Sequence, residues 1–218
     1  IFLHQYQEKK PIEDENIRLE KFNFPGKGEE MNHKIQVYLP AGYSNGTKYP
    51  VLYLQDGGML FDPSDGRDCM VDETLDDLQE RGLIGDGIIV VGIHSIEEKR
   101  WDEYSPYLND NMHHWVKPSA NNKAQEGGEG DAYLLYIEKL VKHIDNTYST
   151  LSNPEGRAIG GFSMGGLISL YAGLNDNQMF SKILAISPAV WFAETDIDNN
   201  IGTHNQLIDE IKSINLPQ

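Results

Sequence analysis

The chain has one cysteine, Cys69, in 218 residues, so no disulfide can close within it and nothing in its cysteine usage points to an oxidising compartment. Cys69 is expected to be a small apolar filler of the core. Basic residues are also scarce: 18 Lys plus Arg stand against 34 Asp plus Glu, a net charge of −16. So acidic a surface repels phosphate backbones and anionic headgroups, which excludes nucleic acid and anionic membranes as expected partners. Its plainest role is to keep the molecule soluble. No apolar run approaches the ~20 residues that a membrane span requires, and the N-terminus carries no signal-peptide pattern. A cytoplasmic location is therefore expected, with the opening Ile1 in place of Met consistent with a trimmed N-terminus. Internal repeats and interdomain linkers are absent as well, and residues 1–218 read as one domain.

The apolar pattern changes character along the chain. Residues Asn16 to Phe24 and Lys34 to Leu39 alternate apolar and polar side chains, which predicts two half-buried antiparallel strands, the first ended by Pro25-Gly26. Pro50 to Leu54, Gly87 to Ile93 and Lys182 to Pro188 are nearly continuous apolar runs, as expected of strands covered on both faces of a parallel sheet. Helical spacing links Val71, Leu75 and Leu78, closed by Gly82. A stripe about five turns long links Tyr133, Ile137, Leu140, Val141, Ile144 and Tyr148, with Asp131 as its expected N-cap. Leu207, Ile208 and Ile211 predict a last short helix. With Arg157-Ala158-Ile159 as a further strand, six strands and interleaved helices predict an α/β three-layer sandwich, antiparallel at its start and mostly parallel thereafter. The polar, glycine-rich stretch 117–130 is expected to be a long loop, either a flap near the site or an exposed connection.

The chemistry is concentrated in Gly160-Gly161-Phe162-Ser163-Met164-Gly165-Gly166, set between the strand 157–159 and the apolar helix-forming run Leu167 to Ala172. A G-x-S-x-G pattern at a strand-to-helix turn is a nucleophile elbow, in which crowded backbones demand glycine at 161 and 165 and thrust the serine outward. With 21 glycines and 12 serines in the chain, the bare pattern would arise by chance about 0.1 times, so the flanking strand and helix carry the assignment. Acyl transfer by Ser163 also needs hydrogen-bond donors for the developing oxyanion. These are expected from the backbone N–H of Met164 and from the turn Gln55-Asp56-Gly57-Gly58-Met59-Leu60 after the third strand, with Gly58 as the second donor.

Four blocks, Val51 to Pro63, Arg100 to Pro106, Gly160 to Gly166 and Ile186 to Phe192, together resemble the putative esterase family of α/β-hydrolases, which groups carbohydrate esterase family 1-like, enterochelin-esterase-like and antigen 85-like members. The blocks occur in the family's order over roughly residues 15 to 195, which makes the resemblance more specific than the elbow alone. It implies an α/β-hydrolase fold and hydrolysis of small-molecule carboxylic esters by a Ser-His-Asp/Glu triad, with no metal and no organic cofactor. It places the nucleophile on Ser163 and the oxyanion amides on Met164 and Gly58. An acyltransferase on the same machinery and an inactive ligand-binding module are the competing readings.

The departure from the family pattern lies at the C-terminus. Only 55 residues follow Ser163, and no run after Ser187-Pro188 reads as a strand, so the family's last two strands, its acid and its histidine are expected to be missing from a C-terminally truncated chain. His204, with Asp196 or Asp198, is the sole local substitute and reads more simply as a solvated residue beside a helix start. His113 and His114 are adjacent and do not match metal-ligand spacing. His94 ends a strand near the expected site and reads as structural, and His4, His33 and His143 show no partner pattern. Asp62 to Asp68 lacks the spacing of a cation loop and reads as a turn. Arg100, Glu103 and Tyr104 are expected to contribute a buried ion pair supporting the site, and Trp191 to line an acyl pocket or to join the core.

Overall fold

The computed structural model describes residues 18–26, 32–61, 68–109, 126–175, 178–197 and 200–213. Its centre is a six-stranded sheet of β1 (Leu19–Pro25), β2 (Asn32–Tyr38), β3 (Val51–Gln55), β4 (Ile89–Ile93), β7 (Arg157–Phe162) and β8 (Lys182–Ile186), in the order β1-β2-β4-β3-β7-β8. The alternating strands β1 and β2 pair antiparallel, and β2 pairs antiparallel with β4. The continuous apolar strands pair parallel: β4 with β3, β3 with β7 and β7 with β8. This is the α/β-hydrolase-like three-layer arrangement that the pattern predicts.

Side chains divide between the two faces as the two-residue period of a strand requires. Ile35, Val37, Val51, Tyr53, Ile89, Val91, Ile93 and Ile159 point to one face, where they meet α3 (Gly130–Thr147) and α4 (Met164–Asn175) in the larger core. Tyr38, Leu54 and Val90 point to the other and pack with Leu60, Phe61 and α1 (Val71–Glu80). The predicted stripe of α3 is buried throughout. On the α1 face the last two strands stay uncovered among the described residues, and Phe162, Leu184 and Ile186 are about half exposed there.

Several expectations need correction. The N-cap of α3 is Glu129, and Asp131 lies inside the first turn, where it accepts a hydrogen bond from the Tyr171 hydroxyl at 2.8 Å. Cys69 is exposed, because the segment entering α1 bonds through its backbone, Cys69 N–H to Met59 C=O at 2.8 Å, and leaves the side chain outside. The region after Ser187 does hold strands: β9 (Glu194–Ile197) and β10 (Asn200–Asn205) form a two-stranded antiparallel sheet apart from the main one. Its polar sequence has no alternation to betray it. The predicted last helix is present as α5 (Gln206–Ser213). Further elements are α2 (Arg100–Glu103) and the two-residue strands β5 (Leu108–Asn109) and β6 (Glu126–Gly127), which pair with each other. Most of the stretch 117–130 and the turn 62–67 lie outside the described residues. No helix among the described residues is long and apolar enough to cross a membrane.

One carboxylate near the start of α1 gives the fold a pH signature. Burial first, and then Glu73 and Asp68, push the Asp72 carboxyl up to about 6. In an unfolded chain it would titrate near 3.9, so the native state binds the extra proton between about pH 4 and 6 and loses stability as pH rises through that window. Asp72→Asn is expected to match the parent at about pH 4 and to exceed its melting temperature by about 2 °C at pH 7, read from thermal melts at both values.

Candidate active site

The centre of the site is the junction of β7 and α4. A Cβ added to Gly161 would lie 2.6 Å from the carbonyl carbon of Gly165, and one added to Gly165 would lie 2.9 Å from Cβ of Gln55 and 3.2 Å from Oδ2 of Asp56. Only hydrogen at these two positions lets the strand, the helix start and the turn after β3 approach so closely. The chain reverses through Ser163, which takes a left-handed φ of 57°, a conformation that costs an L-residue roughly 1–2 kcal/mol and must be imposed by its surroundings. Three backbone hydrogen bonds impose it. Ser163 N–H donates to Ile186 C=O at 3.1 Å, and Ser163 C=O accepts from Leu167 N–H at 3.0 Å and Ala189 N–H at 2.9 Å. Ser163 as a residue is partly exposed, and among the described residues no side chain hydrogen-bonds its hydroxyl.

Two sets of backbone donors flank this point. Met164 is the first residue of α4, so its N–H belongs to the orphan group at a helix N-terminus, where the helix dipole favours negative charge. Gly58 lies in the 3₁₀ turn Gly57–Met59 that follows β3, the strand paired with β7. That turn also begins with a left-handed non-glycine residue, Asp56, at φ 57°. Gly57 is pressed onto β4: a Cβ there would lie 2.5 Å from the carbonyl carbon of Gly92. A third left-handed residue, Ser187 at φ 42°, follows β8. The three neighbouring parallel strands β3, β7 and β8 therefore each end in a strained non-glycine residue at the same edge of the sheet, a clustering typical of functional sites.

The expected ion pair is present, but Arg100 pairs with Asp56, and Glu103 lies against the His33 ring. Nε and Nη2 of Arg100 donate to Oδ1 and Oδ2 of Asp56 at 2.8 and 2.9 Å. The Asp56 side chain is 8% exposed and that of Arg100 25%. Burial alone would lower the Arg100 pKa, and the Asp56 carboxylate overcomes it and raises it. The guanidinium lies 5.1 Å from the centre of the Tyr104 ring, and the Tyr104 hydroxyl, whose pKa burial raises, accepts from Asp56 N–H at 3.2 Å. The Tyr133 hydroxyl donates to Gln55 Oε1 at 2.6 Å. These partners could not be found from the sequence, because Asp56 and Arg100 are 44 positions apart and an Asp before two glycines reads as an ordinary turn.

The histidines divide clearly. His33 is buried in β2, with Nε2 3.4 Å from Glu103 Oε1, Nδ1 2.8 Å from His94 C=O, and its ring against Tyr133 and Tyr136. His143 packs against Phe22 and Phe24. His94 follows β4 and its N–H donates to Lys34 C=O at 3.0 Å. For His33 and His143, whose rings are packed, these are structural placements. Asp198, His4, His113 and His114 lie outside the described residues; Asp196 and His204 sit in the β9–β10 hairpin, with their backbones alone described. Trp191 is 37% exposed and meets Trp101 and Phe192 edge to face, with ring centres 6.4 and 5.8 Å away.

The crowding at the elbow can be tested directly. Gly161→Ala puts a methyl into backbone that cannot step aside, and is expected to cost about 1–3 kcal/mol, measured as a lower denaturant midpoint at unchanged slope.

Comparison with known proteins identifies the family and the fold. The profile of the family described as "Putative esterase" matches residues 28–210. The chain is 30% identical over 164 residues to the uncharacterised protein YbbA of Bacillus subtilis, covering 74% of this chain and 58% of that protein. Among solved structures, the BES protein of Bacillus cereus aligns with a TM-score of 0.67 at 19% identity, over 94% of this chain and 70% of the other, and supports the fold. An IroE-like serine hydrolase of Shewanella oneidensis aligns with a TM-score of 0.59 at 28% identity, over 79% and 52%. The chain spans 58% and 62% of the lengths of the first two curated relatives it matches. With a profile that takes in most of the sequence, including the elbow and the turn after β3, the chain belongs to the Putative esterase family.

Proposed function

We propose that the chain carries the nucleophile and the oxyanion donors of a serine carboxylic-ester hydrolase that works through an acyl-enzyme on Ser163. Membership of an esterase family supports the reaction class, and a partly exposed serine held left-handed between β7 and α4 carries the assignment of the nucleophile. Oγ of Ser163 attacks the ester carbonyl carbon, and the N–H groups of Met164 and Gly58 stabilise the negative charge that develops on the carbonyl oxygen. The bond to the alkoxy oxygen then breaks, the alcohol leaves with a proton, and water cleaves the acyl-serine to free acid and serine. His33 and His143 are engaged structurally through their rings, so neither is the base that takes the serine proton. The chemistry uses the polarity of fixed amides and asks for neither metal nor organic cofactor. The substrate is a small-molecule ester.

The Ser163 hydroxyl has no side-chain partner among the described residues, which favours one competing reading, a ligand-binding module with this fold and no turnover. Hydrolysis of a short-chain p-nitrophenyl ester separates the two. The esterase reading expects turnover and covalent labelling by a fluorophosphonate, with Ser163→Ala losing the label and at least about 10³-fold in kcat/KM. A chain that neither turns over nor labels is the binding module.

A further inference from the structure

The contacts around Asp56 do more than bury an ion pair. Asp56 occupies a left-handed conformation that glycine, asparagine or a solvated turn residue would adopt more readily. Every polar group it owns is fixed from a different direction. Both carboxylate oxygens are held by Arg100, its N–H donates to the Tyr104 hydroxyl, and its C=O accepts from Met59 N–H at 3.0 Å. Oδ2 also abuts the start of α4, at the place where a Cβ on Gly165 would fall. Arg100 opens the short helix α2 and Tyr104 caps its end, and that element is itself pinned: Asp102 Oδ1 accepts from Gly127 N–H at 3.0 Å, Asp102 C=O accepts from Glu129 N–H at 3.0 Å, and the N-cap Lys99 reaches Glu129 at 3.4 Å.

We infer that Arg100 is a positioning residue: by gripping Asp56 it holds the left-handed backbone from which Gly58 presents its N–H to the substrate carbonyl oxygen. The inference rests on the reading of Gly58 as an oxyanion donor. The planar guanidinium fixes both the distance and the rotation of the carboxylate, whereas an ammonium in its place supplies the same charge with no preferred rotation. The grip therefore acts on geometry, and an amide that drifts from the developing oxyanion weakens the transition state more than substrate binding.

Arg100→Lys keeps the charge and tests the fork. Two readouts are needed, steady-state hydrolysis of p-nitrophenyl acetate and amide hydrogen exchange. The expected result is a kcat lower by about 10- to 100-fold, with KM within about twofold of the parent. Exchange should quicken about tenfold at Gly57, Gly58 and Met59, while β3 and α3 stay protected. Unchanged kcat and exchange, a raised KM at constant kcat, or faster exchange throughout the molecule would each overturn the inference. If the lysine variant does not fold, Asp56→Asn, which tolerates the left-handed backbone and offers the fork one acceptor, must show the same fall in kcat. If the parent shows no Ser163-dependent hydrolysis, the esterase reading fails by itself, and the local exchange at Gly57 to Met59 alone decides whether Arg100 holds the turn.

Discussion

The contact between Gly161 and Gly165 is the constraint on which the rest of the site depends. Strand β7 and helix α4 meet there with backbone against backbone, at a separation that no Cβ could occupy. Once that approach is made, Ser163 has no room to continue the strand and must turn left-handed, and the carbonyl of Ile186 and the amides of Leu167 and Ala189 close around it. The amide of Met164 is carried to the head of α4 by the same reversal. The site is thus set by main-chain geometry, with glycine as its enabling residue and neighbouring strands as its mould.

A second close approach, Gly57 on Gly92, seats the turn after β3 in the same manner. Here main-chain contact does not suffice, and side chains from α2 complete the job. The Asp56 to Arg100 fork is largely desolvated; replacing one member by an apolar residue would leave a buried charge, at a cost of about 3–5 kcal/mol. Its neighbours Tyr104, Tyr133 and Gln55 have little room to rearrange, so α2 is bound to the edge of the sheet at several points.

Much of the fold was legible because the two strand types differ in composition. Alternation in β1 and unbroken apolar runs in β3 and β4 reported how those strands are covered, and the stripe of α3 reported its buried side; the rule fails for β2, which alternates yet is buried on both faces from Ile35 to Tyr38, and for β8, whose apolar run is half exposed at Leu184 and Ile186. The elbow was legible because glycine is demanded there by sterics. The β9–β10 hairpin was not, since its sequence carries no apolar period, and neither was the cap of α3, where Glu129 stands in a position that Asp131 would fill by preference alone. The left-handed Asp56 and Ser187 escaped notice because the residue type that normally marks such a turn is absent. Contacts such as Asp56 with Arg100 and His33 with Glu103 depend on tertiary placement, which a local pattern does not encode.

The outward-facing Cys69 is of practical value. As the only sulfhydryl in the chain it offers one attachment point for a dye without any engineering. Its amide is tied to the carbonyl of Met59, the last residue of the turn that contains Gly58. A fluorophore attached there would sit on a short tether to the β3 turn and would register its movements optically as ligands enter and leave.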